Sequence, residues 1–345
     1  MRILLLAGGD SNERTVSLKS GEAVYQGLSR LGHKVYVIDP STGKSLLGSD
    51  GSFIDYKSDP SKQSLVSKGS TWSLANALGS AGFRDIDVVF ITLHGGSGEN
   101  GMIQCLLDLA GKKYTGSNMT ASAIAMDKAI AKRLCNAEGI PTPDWALYRI
   151  SDKQPQTAVI EDIKKRFKFP VIVKPNDGGS TIGLTKVESA DGLSDAIEKG
   201  LAESSNLLVE QFIAGKEVTA AVLDGKPLPL VEIRPKAGLY DFEAKYTKGK
   251  TEYLSPAPID EKVTEEIQRD AARIYDVIGA AGLARADFIL TEKNEHYFLE
   301  LNTLPGMTEL SLAPMAAKAA GIDFDKLLET LIKSVLGEEE SKSDG

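Results

Sequence analysis

Short, continuous apolar runs alternate along this chain with longer stretches of helical spacing. Residues 2–7 (RILLLA) are apolar almost without interruption and end at Gly8-Gly9, which reads as a parallel strand buried on both faces. A helix is predicted over 14–31, a second strand over 34–39 and a third over 86–93. This alternation predicts a doubly wound α/β start. Residues 41–70, rich in Ser, Gly, Lys and Asp, read as a surface insertion. Helices follow from about residue 100 and over 119–139, the latter closed by Gly139 before a Pro-rich IPTP. Beyond them come strands at 169–175, 184–187, 207–213 and 228–235, with helices at 190–203 and 264–281.

Two late runs, 284–291 and 296–301, flank a polar Lys293-Asn294 turn and predict a β-hairpin. With the turn centred between those two residues, Asp287 faces Glu300 and Arg285 faces Asn302. Alternation by two puts these four on one face and Phe288, Leu290, Leu299 and Leu301 on the other. Like charges directly opposite are destabilising by up to about 1 kcal/mol. A divalent cation would remove that penalty, and two carboxylates with a carboxamide oxygen are hard ligands suited to Mg²⁺. The plainer reading is a solvated outer face. The Pro305-Gly306 turn, which brings backbone N–H groups near the same face, points to a site.

Glycine-rich loops supply further candidates. The strand 169–175 ends in Lys174 and runs into NDGGSTIG, where Ser180, Thr181 and backbone N–H groups could meet phosphate oxygens. Strand–loop–strand is not a Walker A arrangement, and the first turn lacks G-x-G-x-x-G, which disfavours a dinucleotide enzyme. The loop 93–101 (LHGGSGENG) lies at a strand end, where doubly wound sheets bind ligands, although His94 could be a satisfied strand-end histidine. Asp10-x-x-Glu13 could be a capping box. By default Lys128 is a solvated helix lysine and Glu210 a solvated exception in a core strand. The long loop 236–257 is aromatic and charged, which favours function over disorder.

Composition narrows the classes. The chain of 345 residues is long enough for two or three domains. A net charge of −8 with no basic tract argues against nucleic acid as a partner. The first apolar run is too short for a signal peptide, and no run is long enough to span a membrane. Cys105 and Cys135 fall in helical stretches and read as buried small hydrophobes in a reducing cytoplasm.

Asp287 followed by ELNTLPGM (300–307) resembles the metal site of the ATP-grasp superfamily and, in its wording, the D-alanine–D-alanine ligase family. The segments at 8–21, 93–101, 126–128 (MDK), 170–183 and 243–246 (EAKY) carry the same resemblance, which spans residues 1 to about 337 apart from 41–70. It implies an α/β ATP-grasp fold of three domains, 1–121, 122–215 and 216–345, with ATP between the last two and a lid at 236–257. It implies ATP-dependent joining of two D-alanines through an acyl phosphate, for peptidoglycan precursor synthesis, by a cytoplasmic homodimer using two Mg²⁺ (or Mn²⁺) ions.

The resemblance also implies roles. Glu13 would bind the first D-alanine's ammonium, and Tyr246 would bond Ser180 and Glu13. His94 would lie near the second substrate. Lys128, Lys174, Thr181 and Lys245 would serve the phosphates. In the adenine strand Glu210 would face the exocyclic amine and the Ile213 backbone the ring, beside Gln211 and Phe212, while Glu217 would take the ribose. Arg285 and the Gly306 N–H would stabilise the oxyanion, or Arg285 would only offset the charge of Asp287 and Glu300. Ser311 and Leu312 would receive the second D-alanine's carboxylate, and Asp287, Glu300 and Asn302 would hold metal. Asn100 stands where the family usually has Asp. Tyr246 favours D-alanine over D-lactate as acceptor and leaves D-serine open. The rival readings are another ATP-grasp carboxylate–amine ligase and a non-catalytic nucleotide-binding protein.

Overall fold

The structure, a computed structural model, describes residues 1–57, 75–76, 78, 83, 85–150, 156–236 and 249–337. Its described strands form three sheets. The first has the order β3-β2-β1-β4, from β1 (Arg2–Leu6), β2 (Lys34–Asp39), β3 (Lys44–Ser45) and β4 (Val88–Ile91), with β1 parallel to both neighbours. Ile3 and Leu5 face one core, shared with the helices Arg14–Arg30 and Phe324–Leu336. Leu4 and Leu6 face another, shared with Ile103 and Leu107. Cover on both sides is why this strand shows no alternation.

The expected surface insertion needs correction. β3 extends the sheet, Leu46 and Tyr56 are buried, and the Tyr56 hydroxyl donates to Glu22 at 3.0 Å. Residues 58–70 lie outside the described residues. The helix expected from residue 100 is two helices, Gly96–Glu99 and Met102–Leu109, parted where Gly101 takes a φ of 92°.

The second sheet joins β5 (Trp145–Arg149), β6 (Val171–Pro175), β7 (Thr185–Val187) and β8 (Asn206–Gln211) in the antiparallel order β5-β8-β6-β7. The third contains β9 (Lys216–Leu223), β10 (Lys226–Pro227), β11 (Val231–Pro235), β12 (Thr251–Leu254), β13 (Leu283–Leu290) and β14 (His296–Asn302). The helix Glu261–Ile278 covers it, capped by Asp260 and ended by Gly279 at a φ of 74°. The helices Met119–Met126 and Lys128–Ala137 also pack on this third sheet, where Ala121, Ala131 and Cys135 share a core with Ala286, Phe298 and Leu301.

The hairpin β13–β14 turns differently from the expectation. Its loop has three residues, with the Thr291 N–H on the Glu295 carbonyl at 2.9 Å and Asn294 left-handed at a φ of 64°. That register alone would slide the carboxylates past each other. A β-bulge corrects it: Phe288 pairs with Phe298, but Asp287 pairs with Glu300 and Arg285 with Asn302. The extra residue is Leu299. It was expected on the apolar side and instead lines a cleft beside Glu300.

Candidate active site

The bulge puts Asp287 and Glu300 opposite each other at the mouth of that cleft. Asp287 is held from three directions. Arg285 Nε and Nη2 donate to its two oxygens at 2.8 Å each, and the Thr219 hydroxyl on β9 donates at 2.7 Å. Lys128 Nζ lies 3.3 Å from Glu300. The Asn302 carboxamide oxygen accepts the Leu304 N–H at 2.9 Å, which fixes its direction and leaves its second lone pair for another partner. Two facing carboxylates, each answered by a cationic side chain, with a hard amide oxygen alongside, fit a Mg²⁺ ion. No group of three His, Cys, Asp or Glu gathers anywhere among the described residues, so an ion here would complete its shell with phosphate and water oxygens.

Next to this face is a pocket of about 110 Å³ lined by Lys128, Lys174, Gly179, Thr181, Glu217 and Leu299, among others. Lys174 comes from the end of β6 and Thr181 from the expected phosphate loop, and both line this pocket with the hairpin residues Asp287, Leu299 and Glu300. Ser180 and Thr181 hold left-handed φ values of 48° and 61°, a strained conformation for residues with a β-carbon. Beneath the pocket lies a cluster that sequence reasoning missed. Glu210 is buried with Lys174 Nζ at 2.9 Å and Lys132 Nζ at 3.0 Å, and Lys132 also donates to the Phe298 carbonyl at 3.1 Å. Burial pushes the Glu210 carboxyl up, but the two ammonium groups outweigh it and hold it below its ordinary value. Burial draws Lys132 down to about 8, so it still carries its proton at neutral pH.

Glu210 therefore sits under the pocket and does not line it. Nor do Gln211, Phe212 and Ile213. Gln211 gives its amide to the Lys168 and Pro170 carbonyls at 2.8 and 3.0 Å, and Phe212 lies under Lys186 Nζ at 4.1 Å. Lys132 could have been found from its spacing of four from Lys128, which stacks the two ammonium groups on one helix face.

A larger cavity of about 610 Å³ opens on the other side of Lys128, Gly178, Gly179 and Glu300. Glu13, His94, Arg285, Gly306, Ser311 and Leu312 line it. Glu13 makes no capping bond with its side chain, so the capping-box expectation fails. Its carboxylate instead accepts the Ser180 hydroxyl and lies against Gly95 and Gly179, where a methyl on either glycine would collide with it. His94 is buried with Nε2 on Ser20 Oγ at 3.1 Å. Burial first, and the Arg285 charge second, bring it down to about 4, so its ring is neutral. Ser20 also accepts the Met307 N–H at 3.1 Å and so ties the Gly306 turn to the first helix. Ser311 heads the helix Leu312–Ala319 and accepts the Thr308 N–H at 3.1 Å. Asn100 accepts the Met102 N–H at 3.1 Å, a role that an aspartate would fill equally. Lys245 and Tyr246 lie outside the described residues.

Comparisons with known proteins agree along the whole chain. A family profile described as D-ala D-ala ligase N-terminus matches residues 2–117, and one described as D-ala D-ala ligase C-terminus matches 134–333. A curated D-alanine–D-alanine ligase of Syntrophotalea carbinolica is 42% identical over 331 residues, covering 96% of this chain and 95% of that protein. One of Aquifex aeolicus is 40% identical and is covered over 100% of its length, against 96% of this chain. A crystal structure of D-alanine–D-alanine ligase from Bacillus anthracis complexed with ATP superposes with a TM-score of 0.75 at 29% identity, over 98% of each chain. VanG D-Ala:D-Ser ligase from Enterococcus faecalis superposes with a TM-score of 0.77 at 29% identity, over 97% of this chain and 99% of its own. With profiles over both halves and relatives of nearly equal length, the chain belongs to the D-alanine–D-alanine ligase family and has its ATP-grasp fold.

Proposed function

We propose that the protein joins two D-alanines into D-alanyl-D-alanine at the expense of ATP, in the cytoplasm, for peptidoglycan precursor synthesis. The observation that carries this is the contact between the two cavities. The lysine-lined pocket suited to phosphates shares Lys128, Gly178, Gly179 and Glu300 with the larger cavity holding Glu13, Arg285 and Ser311. Glu13 holds the first D-alanine by its ammonium, which leaves that substrate's carboxylate toward the phosphate pocket. The carboxylate attacks the γ-phosphoryl group of ATP, and ADP leaves. Lys128 and Lys174 spread the charge of the transferring group. The amine of the second D-alanine then attacks the acyl carbonyl, Arg285 and the Gly306 N–H meet the oxyanion, and phosphate leaves. Asp287, Glu300 and Asn302 would hold Mg²⁺, which would supply positive charge against the phosphate oxygens.

Three domains divided near residues 121 and 215 and a homodimeric assembly belong to this reading. Exposed Met102, Leu109 and Met119 offer apolar surface for a second copy, and sedimentation would test it. The described residues include no helix long and apolar enough to cross a membrane.

The test is product identity by mass spectrometry with ATP, Mg²⁺ and D-alanine, alone and against D-serine, D-lactate and L-alanine. Mostly D-alanyl-D-alanine is expected. The resemblance of VanG makes D-serine the competitor that matters, and a D-alanyl-D-serine product would overturn the acceptor assignment. Two variants probe the site. Asp287→Asn and Glu300→Gln should each raise the Mg²⁺ needed for half-maximal rate by about tenfold or more, and unchanged metal titrations in both would remove the hairpin from the metal site. Gly179→Ala should push the Glu13 carboxylate aside. The lost charged contact, about 1.5–3 kcal/mol, predicts a roughly 10- to 100-fold rise in the D-alanine concentration needed for turnover.

A further inference from the structure

The cavity assigned to the amino acids contains a carboxyl group with no task in the reaction above. Glu99 ends the short helix Gly96–Glu99, is buried, and lines the same cavity as Glu13, Arg285 and Gly306. Its Oε2 accepts the Gly95 N–H at 2.6 Å. Glu13 approaches the same glycine from its other side, where a β-carbon on Gly95 would stand 2.6 Å from Glu13 Oε2. Two carboxyl groups thus meet across one residue. Burial, and then the charge of Glu13, push Glu99 up to about 8, with Glu300 adding to the rise and the Gly95 N–H and Arg285 opposing it. In the absence of substrate this setting favours the protonated form of Glu99.

We propose that Glu99 is the proton acceptor for the ammonium of the second amino acid, armed by the arrival of the first. The inference rests on the ligase reading above. The first amino acid places its ammonium beside Glu13 and offsets the charge that, second to burial, favours the protonated form of Glu99, so Glu99 gives up its proton to solvent. The second amino acid enters as a zwitterion and passes one ammonium proton to the Glu99 carboxylate. The free amine attacks the acyl carbonyl, the C–N bond forms, and the C–O bond to phosphate breaks with its electron pair leaving on phosphate. The remaining surplus amine proton goes to that phosphate, and Glu99 is left protonated for the next cycle.

Tyr253 also lines the cavity as a phenol, and most of the other titratable groups facing it from the described residues are committed elsewhere. Glu13 is bonded to Ser180, His94 Nε2 is engaged by Ser20, and Glu300 lies against Lys128. Asp287, adjoining on the hairpin face, is held by Arg285 and Thr219. Lys19 and Arg285 are cations and not acceptors.

The test replaces the second amino acid by hydroxylamine, a nucleophile that is already a free base at neutral pH and traps the acyl phosphate as a hydroxamate. Glu99→Gln keeps the size of the side chain and an oxygen for the Gly95 N–H. With D-alanine as acceptor it should fall about 10²–10⁴-fold in rate, while hydroxamate formation stays within about threefold of wild type, and Glu99→Asp should recover part of the dipeptide rate. Equal loss of both products would make Glu99 a structural support of the loop, and loss of neither would leave it without a role. Either result overturns the proposal. Wild-type protein that makes neither hydroxamate nor dipeptide would instead overturn the ligase reading, and this inference with it.

Discussion

Arg285→Lys is expected to slow dipeptide formation by about 10²–10³-fold with little change in the ATP requirement, the usual cost of losing one oxyanion donor. The charge survives this substitution and the fork does not. In the structure the guanidinium spends Nε and Nη2 on the two oxygens of Asp287 at 2.8 Å each, while also lining the cavity. A single ammonium cannot hold a carboxylate by two parallel bonds and still present a donor to a developing oxyanion. The sequence leaves two roles for Arg285, oxyanion donor or charge partner of the carboxylates. The bidentate pair establishes the second contact, and the lysine variant asks about the first. Single-turnover measurement of dipeptide release decides it. A rate within about threefold of wild type would mean that only the charge matters, because a surface-like ion pair tolerates either cation.

Glu210→Leu should cost about 3–5 kcal/mol of stability, because it leaves Lys132 and Lys174 as uncompensated charges in the interior. Urea denaturation would read the loss, and binding of ATP would weaken with it as Lys174 seeks solvent. Adding Lys132→Met to this variant should restore part of the stability, since it removes the ammonium that is wholly buried and has no other anion among the described residues. A loss under about 1 kcal/mol in the single variant, or no recovery in the double, would show that water reaches the cluster. The acid limb has a defined sign. A carboxyl held below its ordinary value stabilises the fold above its unfolded pKa, and that contribution disappears as pH falls through its folded value.

The strands were legible because their signals are local. Alternation on β13 and β14 put Arg285, Asp287, Glu300 and Asn302 on one face, and the structure pairs them so. That agreement hides two compensating departures, a three-residue loop in place of a two-residue turn and a bulge at Leu299. Neither has a signature in period-two patterning, and a one-residue slip inverts every side chain. The phosphate loop and Lys174 could be read from a strand ending in lysine before glycines. Glu210 looked like an exposed exception because its partners lie far away in sequence, on a helix and a neighbouring strand. Glu99 was passed over within a glycine-rich loop for the same reason: only the fold reveals that Glu13 stands against Gly95. The lid residues Lys245 and Tyr246 remain expectations from sequence, outside the described residues.

The position of Glu13 also constrains how this protein can be recombined. Its carboxylate is wedged between Gly95, on a loop of the first sheet, and Gly179 with Ser180, on the flap of the second. The amino acid seat is thus shared property of two gene segments, which also meet in one core where Ile3 and Leu5 pack with Leu327 and Leu328. A chimera that takes residues 1–117 from one relative and the remainder from another would preserve every sheet, yet would pair a glutamate with a flap shaped for a different neighbour. Crossovers placed for the convenience of the fold would therefore shuffle substrate affinity, and parents matched at positions 13, 95, 179 and 180 would be the ones to exchange halves silently.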